Sequence, residues 1–211
     1  MPIIAIVSTK GGTGKTSTGY NLAIEMKPHR VLDQDLHTGL RILSQMRDTP
    51  LPFPLEHYHS SAALLDALQD ALEKGETVIV DVGGFDSDIA RAVCAVADLI
   101  ICPSNDTPTD KIGLARFDLM LSEVSKSIGR HISAHVLLCK AHPTQKHFPQ
   151  ITESLAKSQH LTRMNSVITY RPDHYRSHYQ GLGVTERVST RHTAAGREII
   201  ALAEEIRLLV S

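Results

Sequence analysis

The sequence predicts an α/β protein with a mostly parallel sheet and helices on both faces. Three observations point there. Short apolar runs alternate with helically spaced apolar patterns along all 211 residues. A glycine-rich stretch separates the first apolar run from the first helical pattern, and carboxylates stand at the ends of the runs that follow. In open sheets of this kind ligands bind beyond the carboxyl ends of the strands, which is where those glycines and acids fall.

Taken in order, residues 3–7 (Ile-Ile-Ala-Ile-Val) read as a first, central strand, 11–14 as a turn and 16–26 as a helix. Residues 30–32 form a short second strand whose end delivers Asp33 and Asp35. The proline-rich stretch 50–54 and His57-Tyr58-His59 read as surface loop, and 62–72 as an amphipathic helix over the sheet,. Strands are expected at 77–82, 99–102, 136–139 and 166–169, alternating with helices at 89–97, 111–125 and 148–156. Residues 193–210 close the chain as a helix. No linker, internal repeat or low-complexity segment interrupts this pattern, so residues 1–211 are expected to form a single domain,.

Hydrophobic residues make up 42% and charged residues 21%, a balance that excludes a disordered chain,. The formal net charge of -1 excludes electrostatic attraction of the whole molecule to nucleic acid or anionic lipid, so any such binding must be local,. Cys94, Cys102 and Cys139 are odd in number and lie in or beside apolar runs, as buried, reduced core residues do,. The first apolar run lacks the basic lead and the length of a signal peptide or membrane span, and a reducing cytoplasm is the expected setting.

The chemistry starts at Lys10-Gly11-Gly12-Thr13-Gly14-Lys15-Thr16, set between a strand and a helix. Glycines let successive main-chain N–H groups face one anion, and the start of a helix adds its positive dipole end. This is the context that makes a P-loop, and the protein is expected to be a P-loop nucleoside triphosphatase. Lys15 would reach the β- and γ-phosphates, and the Thr16 hydroxyl is placed for Mg²⁺. The expected nucleotide contacts are Gly11, Gly12, Thr13, Gly14, Lys15, Thr16 and Ser17.

With Lys10 ahead of the two glycines, K-G-G-T-G-K-T resembles the deviant Walker A motif of the ParA/MinD family of dimeric ATPases, most closely short ParA-type partition proteins. The resemblance implies ATP and Mg²⁺ as cofactors. It also implies a homodimer in the ATP state in which Lys10 crosses to the partner's nucleotide. A cation supplied in trans would stabilise the charge on the transferring phosphoryl group.

Phosphoryl transfer also needs carboxylates at neighbouring strand ends. Asp33-Gln34-Asp35-Leu36-His37 is similar to the family's D-x-D-P-Q segment, with Asp35 matching the residue that positions the hydrolytic water and Asp33 lying near the metal. Leu36 and His37 depart from the family's Pro and Gln. Asp81 ends the hydrophobic strand Thr77-Val78-Ile79-Val80-Asp81, a Walker B pattern that places it in the Mg²⁺ shell, and Gly83-Gly84 beyond it suit a switch turn,. Ala97-Asp98-Leu99-Ile100-Ile101-Cys102-Pro103-Ser104, followed by Asp110, resembles the family's A-D-x-x-I-x-P segment. In relatives the adenine lies against the loops after the last two strands, which points here to Lys140, Arg171 and Pro172, although Tyr170 replaces the usual proline.

What the ATPase drives is not written in its fold. Metal-cluster carriers of the family use C-x-x-C, which this chain lacks. Division-site relatives end in a basic amphipathic helix that lies on the membrane. Here Glu198, Glu204 and Glu205 outnumber Arg197 and Arg207, so a packed terminal helix and no membrane partner are expected,. Residues 160–211 hold seven arginines and no lysine against five acids, whereas residues 1–159 hold 15 basic against 18 acidic residues. That asymmetry matches the nonspecific DNA face of partition relatives, with Arg176, Arg187, Arg191 and Arg197 as its first candidates. His174 and His178, four apart and without a third ligand, read as a solvated or DNA-facing pair.

The expected protein is thus a nucleoid-associated bacterial partition ATPase with no separate N-terminal DNA-reading domain, stimulated by a centromere-binding partner protein. The alternative is a nucleotide-switched positioning or conjugation-associated adaptor with weak turnover. A small-molecule kinase or synthetase on the same core would need a substrate lid of clustered basic and polar residues, and the sequence offers none.

Overall fold

The computed structural model describes residues 1–84 and 86–211. Strand β1 (Ile3–Val7) leads through a glycine turn into α1 (Lys15–Met26), followed by β2 (Arg30–Gln34), α2 (Gly39–Gln45), β3 (Leu55–Glu56) and α3 (Ser61–Glu73). Then come β4 (Val78–Val82), α4 (Asp88–Val96), β5 (Leu99–Ser104), α5 (Pro108–Ile128), β6 (Ala134–Ala141), α6 (Pro149–Lys157) and β7 (Leu161–Thr169). Two short turns, α7 (Asp173–Arg176) and a 3₁₀ helix (Ser177–Gln180), precede α8 (Val188–Arg191) and the long α9 (Ala194–Leu209).

The sheet has seven strands in the order β3-β2-β4-β1-β5-β6-β7, and every pairing among the described residues is parallel. β1 is its central strand, as a run of five fully buried apolar residues requires,. Its side chains alternate between two cores. Ile3, Ala5 and Val7 face Leu64, Val93 and Phe117 of α3, α4 and α5, while Ile4 and Ile6 face Tyr20 and Ile24 of α1 and Ile199, Leu202 and Ile206 of α9,. Helices therefore cover both faces. Local signals start them: Ser60, Ser87, Thr107 and Thr193 each accept a main-chain N–H at the beginning of α3, α4, α5 and α9,.

Several expectations change: the last strand, expected at 166–169, is the nine-residue β7, and α2 was not expected. The stretch expected as surface loop at 50–59 contributes β3, whose Leu55 and Glu56 pair with Val31 and Leu32, and Phe53 is buried beside it. The outer edge of β2 would otherwise leave its N–H and C=O groups unpaired. β2 itself runs on to Gln34, so Asp33 is a buried strand residue and Asp35 the first beyond the strand. His174 and His178 are neither solvated nor free to face DNA. Both are buried, because the turns that carry them pack on α1: Asn21 Nδ2 donates to the His174 carbonyl at 3.0 Å and lies 3.3 Å from His178 Nε2. His178 also stands edge-on to Tyr20, with ring centroids 5.5 Å apart.

The three cysteines are buried and unpaired, and burial pushes the thiols of Cys94 and Cys139 up to about 12, so they behave as core residues,. The expected stripe of the last helix is seen in Ile199, Leu202, Ala203 and Ile206, all fully buried, while Leu209 is largely exposed. No helix among the described residues is long and apolar enough to cross a membrane.

Candidate phosphate site and basic face

At the carboxyl end of the sheet a cleft of about 930 Å³ opens over the loop between β1 and α1. Its floor is residues 8–18, one wall is Asp35, Leu36, His37, Gly83 and Gly84, and the other is Lys140, residues 168–171, His174 and Tyr175. Gly14 closes the turn at φ +101°, a left-handed conformation that a Cβ would strain, and it caps α1 without a side chain,. A capping oxygen would have occupied the first N–H groups of α1. They are instead left to the cleft, as a helix that binds an anion requires.

Lys15, the first residue of α1, is buried, and its Nζ lies 2.6 Å from Asp35 Oδ2 and 2.8 Å from Asp81 Oδ1. Burial works against the ammonium, but Asp81 and Asp35 together hold its proton more tightly than usual,. Burial pushes Asp81 up to about 6 despite Lys15, and its second oxygen, Oδ2, is buried without a hydrogen-bond partner among the described residues. Asp35 is partly buried, which would raise its pKa, yet Lys15 and the His37 main-chain N–H hold it below the usual range. Asp35 comes this close because position 83 is glycine: a Cβ there would lie 2.9 Å from the Asp35 Cα.

The remaining expected groups are placed as follows. Gly11, Gly12, Thr13, Thr16 and Ser17 line the cleft. Asp33 is buried under it and spends both oxygens on the main chain, accepting from Asp35 N at 3.3 Å and Arg41 N at 3.1 Å, so it shapes the turn into α2. Lys10 points along its own chain: its Nζ lies 2.8 Å from Asp110 Oδ2 and donates to Thr109 Oγ1 at 2.9 Å. Lys140 reaches across the loop to donate to the Gly12 carbonyl at 2.6 Å. Arg171 lines the cleft while donating to Glu198 Oε1 at 3.1 Å, whereas Pro172 caps the α7 turn and is not among the residues that line the cleft.

Sequence reasoning missed Tyr170, His174 and Tyr175 as cleft wall. Both tyrosines are exposed, with ring centroids 6.4 Å apart. Their position directly after the last strand was the available signal. Glu198 was read only as a charge on the last helix, yet it organises this wall by accepting from the Thr169 amide and hydroxyl and from Arg171, with His174 Nε2 at 2.9 Å. Burial would raise the Glu198 pKa; these four partners bring it down to about 2.

The four arginines proposed for nucleic acid do not behave alike. Arg176 and Arg197 are exposed, and Arg187 is half-buried just before α8. Arg191 is bound instead to the carboxylate of Glu25 on α1, at 3.0 and 3.2 Å, and to the Thr185 carbonyl. Its charge is compensated within the fold, because α1 presents an acid where α8 ends.

No family model matches the sequence. The chain is 25% identical over 147 residues to Protein ParA of Rhizobium radiobacter, an alignment covering 68% of this chain and 66% of that protein, just under two thirds of its length. It is 23% identical over 208 residues to Maintenance of carboxysome distribution protein A of Gloeobacter kilaueensis, covering 97% of this chain and 93% of that protein. Its fold is similar to the septum site-determining protein MinD complexed with Mg-ADP from Pyrococcus horikoshii, with a TM-score of 0.72, 16% identity, and coverage of 100% of this chain and 97% of that one. The strand-loop-helix cradle and the seven-stranded parallel sheet agree with these likenesses: the chain has the fold of the P-loop proteins of the ParA/MinD type and is similar to them in sequence.

Proposed function

We propose that this protein is a Mg²⁺-dependent ATPase that closes as a homodimer on ATP, binds nonspecific DNA in that state and releases it on hydrolysis, as a partition protein does. One observation carries the reading: the uncapped start of α1 opens into a large cleft lined by Lys15 and Asp35, with Asp81 buried against the Lys15 ammonium. A triphosphate against these N–H groups would take over Lys15. That exchange would free Asp35 to orient water and Asp81 to face the metal shell, so ATP itself arms the acids.

The oxygen donors present suit Mg²⁺: Thr16 lines the cleft, and Asp81, bound to Lys15 through one oxygen, keeps the other buried and unpartnered among the described residues,. When bound, the ion would neutralise charge on the phosphates. The side chains around the loop do the rest of the work. Lys15 grips the β- and γ-phosphates, and Lys10, once released from Asp110, serves the nucleotide of the second protomer. Arg171 and Pro172, after β7, would lie on the side of the base. Arg176, Arg187 and Arg197 supply the DNA face, to which Arg191 contributes through the fold. A centromere-binding partner that stimulates hydrolysis and a nucleoid location complete the proposal.

The test is DNA affinity measured with and without ATP over a range of salt, beside phosphate release. Affinity that rises with ATP and falls steeply with salt supports partition. A chain that binds no nucleotide would end the reading altogether. The second reading, a positioning adaptor switched by nucleotide, is favoured by the near full-length likeness to the carboxysome distribution protein. It predicts ATP-controlled docking to a protein partner with marginal turnover, and no gain in DNA affinity.

A further inference from the structure

Three lysines approach the phosphate loop, and their charges are not equally committed. Lys15 is paired with Asp35 and Asp81, and Lys10 with Asp110. Lys140 is exposed, forms no ion pair among the described residues, and donates to a main-chain carbonyl, that of Gly12, at 2.6 Å. Its side chain also passes Gly14, where an added Cβ would lie 3.9 Å from the Lys140 Cε.

The backbone is bent to achieve this. Cys139 pairs with Ile168 and Ala141 with Thr169, so Lys140 is an extra residue in the ladder between β6 and β7. It sits at φ +53°, a left-handed conformation that is strained for a lysine,. A bulge of this kind re-aims a side chain that a regular strand would send elsewhere. Here it lays an ammonium across the loop that forms the cradle.

Resting on the reading of this cleft as a triphosphate site, we infer that Lys140 is a phosphate-side positioning residue rather than a base contact. It ties down the Gly12 carbonyl so that the loop is shaped before nucleotide arrives. Among the described residues it also supplies the one loop-facing ammonium that need not first leave a carboxylate, and so is the first cation to meet the incoming anion.

The test compares ATP with inorganic tripolyphosphate, which has no base or sugar, by titration calorimetry on the full chain. Lys140→Gly accepts the left-handed backbone and should keep the thermal midpoint at or above that of the parent while weakening both ligands about tenfold. Lys140→Arg should restore both to within about threefold. The inference is overturned if the glycine variant loses ATP affinity yet keeps tripolyphosphate, which is the signature of a base contact, or if it binds both as the parent does. Failure of the parent chain to bind either ligand would instead remove the triphosphate site itself.

Discussion

Around the phosphate loop, Lys15 and Lys10 are each held by acids from distant strands and helices, and Asp81 and Lys15 are both buried. In the arginine-rich segment 160–211 the charges divide differently: Arg171 and Arg191 are bound by glutamates that fasten α9 and α1, while Arg176 and Arg197 stay at the surface. At the first site, charge density is built by geometry, with few groups each having an obligatory partner. At the second, a surplus of like residues counts far more charge than the surface delivers. Burial decides which region tolerates a substitution, because a buried ion left alone has no water to replace its partner.

The largest effect should come from Lys15→Ala. It removes the phosphate-gripping ammonium and leaves Asp81 buried without its cation, so ATP binding should vanish and stability at neutral pH should fall by about 3 kcal/mol in urea unfolding. Normal ATP affinity in this variant would separate the two carboxylates from any nucleotide role. Asp35→Ala, at the same site, should leave nucleotide binding intact and ATP-bound dimers that persist in size-exclusion chromatography. Unchanged phosphate release would remove Asp35 from the chemistry.

Next in size is Glu198→Gln, expected to cost about 2 kcal/mol because it strips charge from an acceptor serving Thr169, His174 and Arg171,. The sign with pH follows from the depressed pKa. A carboxyl that drops from 4.5 to about 2 in the fold stabilises the protein above pH 4.5, and that contribution is lost as the pH falls toward 2,. The glutamine variant should therefore show a shallower loss of stability between those pH values; an identical acid profile would mean the cleft wall does not depend on this acid.

Within the basic segment, the paired and unpaired arginines should part company. Replacing Arg187 and Arg197 together with alanine should weaken DNA binding and flatten its salt dependence with little change in stability. Arg191→Ala should cost up to about 1 kcal/mol of stability, as a half-exposed bidentate pair does,. If Arg191 alone governed DNA affinity, its pairing with Glu25 would not neutralise it as a DNA contact. The smallest effect is a titration: burial, and then His174, lowers the His178 pKa to about 4, so its imidazole should stay neutral at pH 6 when followed by NMR,. Its share of stability is present above pH 6.5 and lost as the pH falls through 4; a midpoint near 6.5 would mean the ring is solvated.

Much of the architecture could be read from residue order. Strand β1 is legible because five consecutive apolar residues fit only a strand buried on both faces, and α1 because glycines stop directly before a helical pattern. β3 was not legible: two residues after a proline-rich stretch carry no period, and only the open edge of β2 makes them a strand. The turns at 173–180 failed for the same reason. His174 and His178 look like surface residues until Asn21 and Glu198 are brought to them from 153 and 24 residues away.

By itself, the order of amino acids determined the parallel sheet, the glycine cradle and the acids that end its strands. Those rest on local sterics and on a hydrophobic period, which neighbouring residues settle between them. Only the tertiary structure decided the partners of the long charged side chains: Lys10 on Asp110, Lys15 between Asp35 and Asp81, Arg191 on Glu25, Lys140 over Gly12. A lysine or arginine has several rotatable bonds and many acceptors within reach, and which one it takes is settled by what the fold carries to its tip.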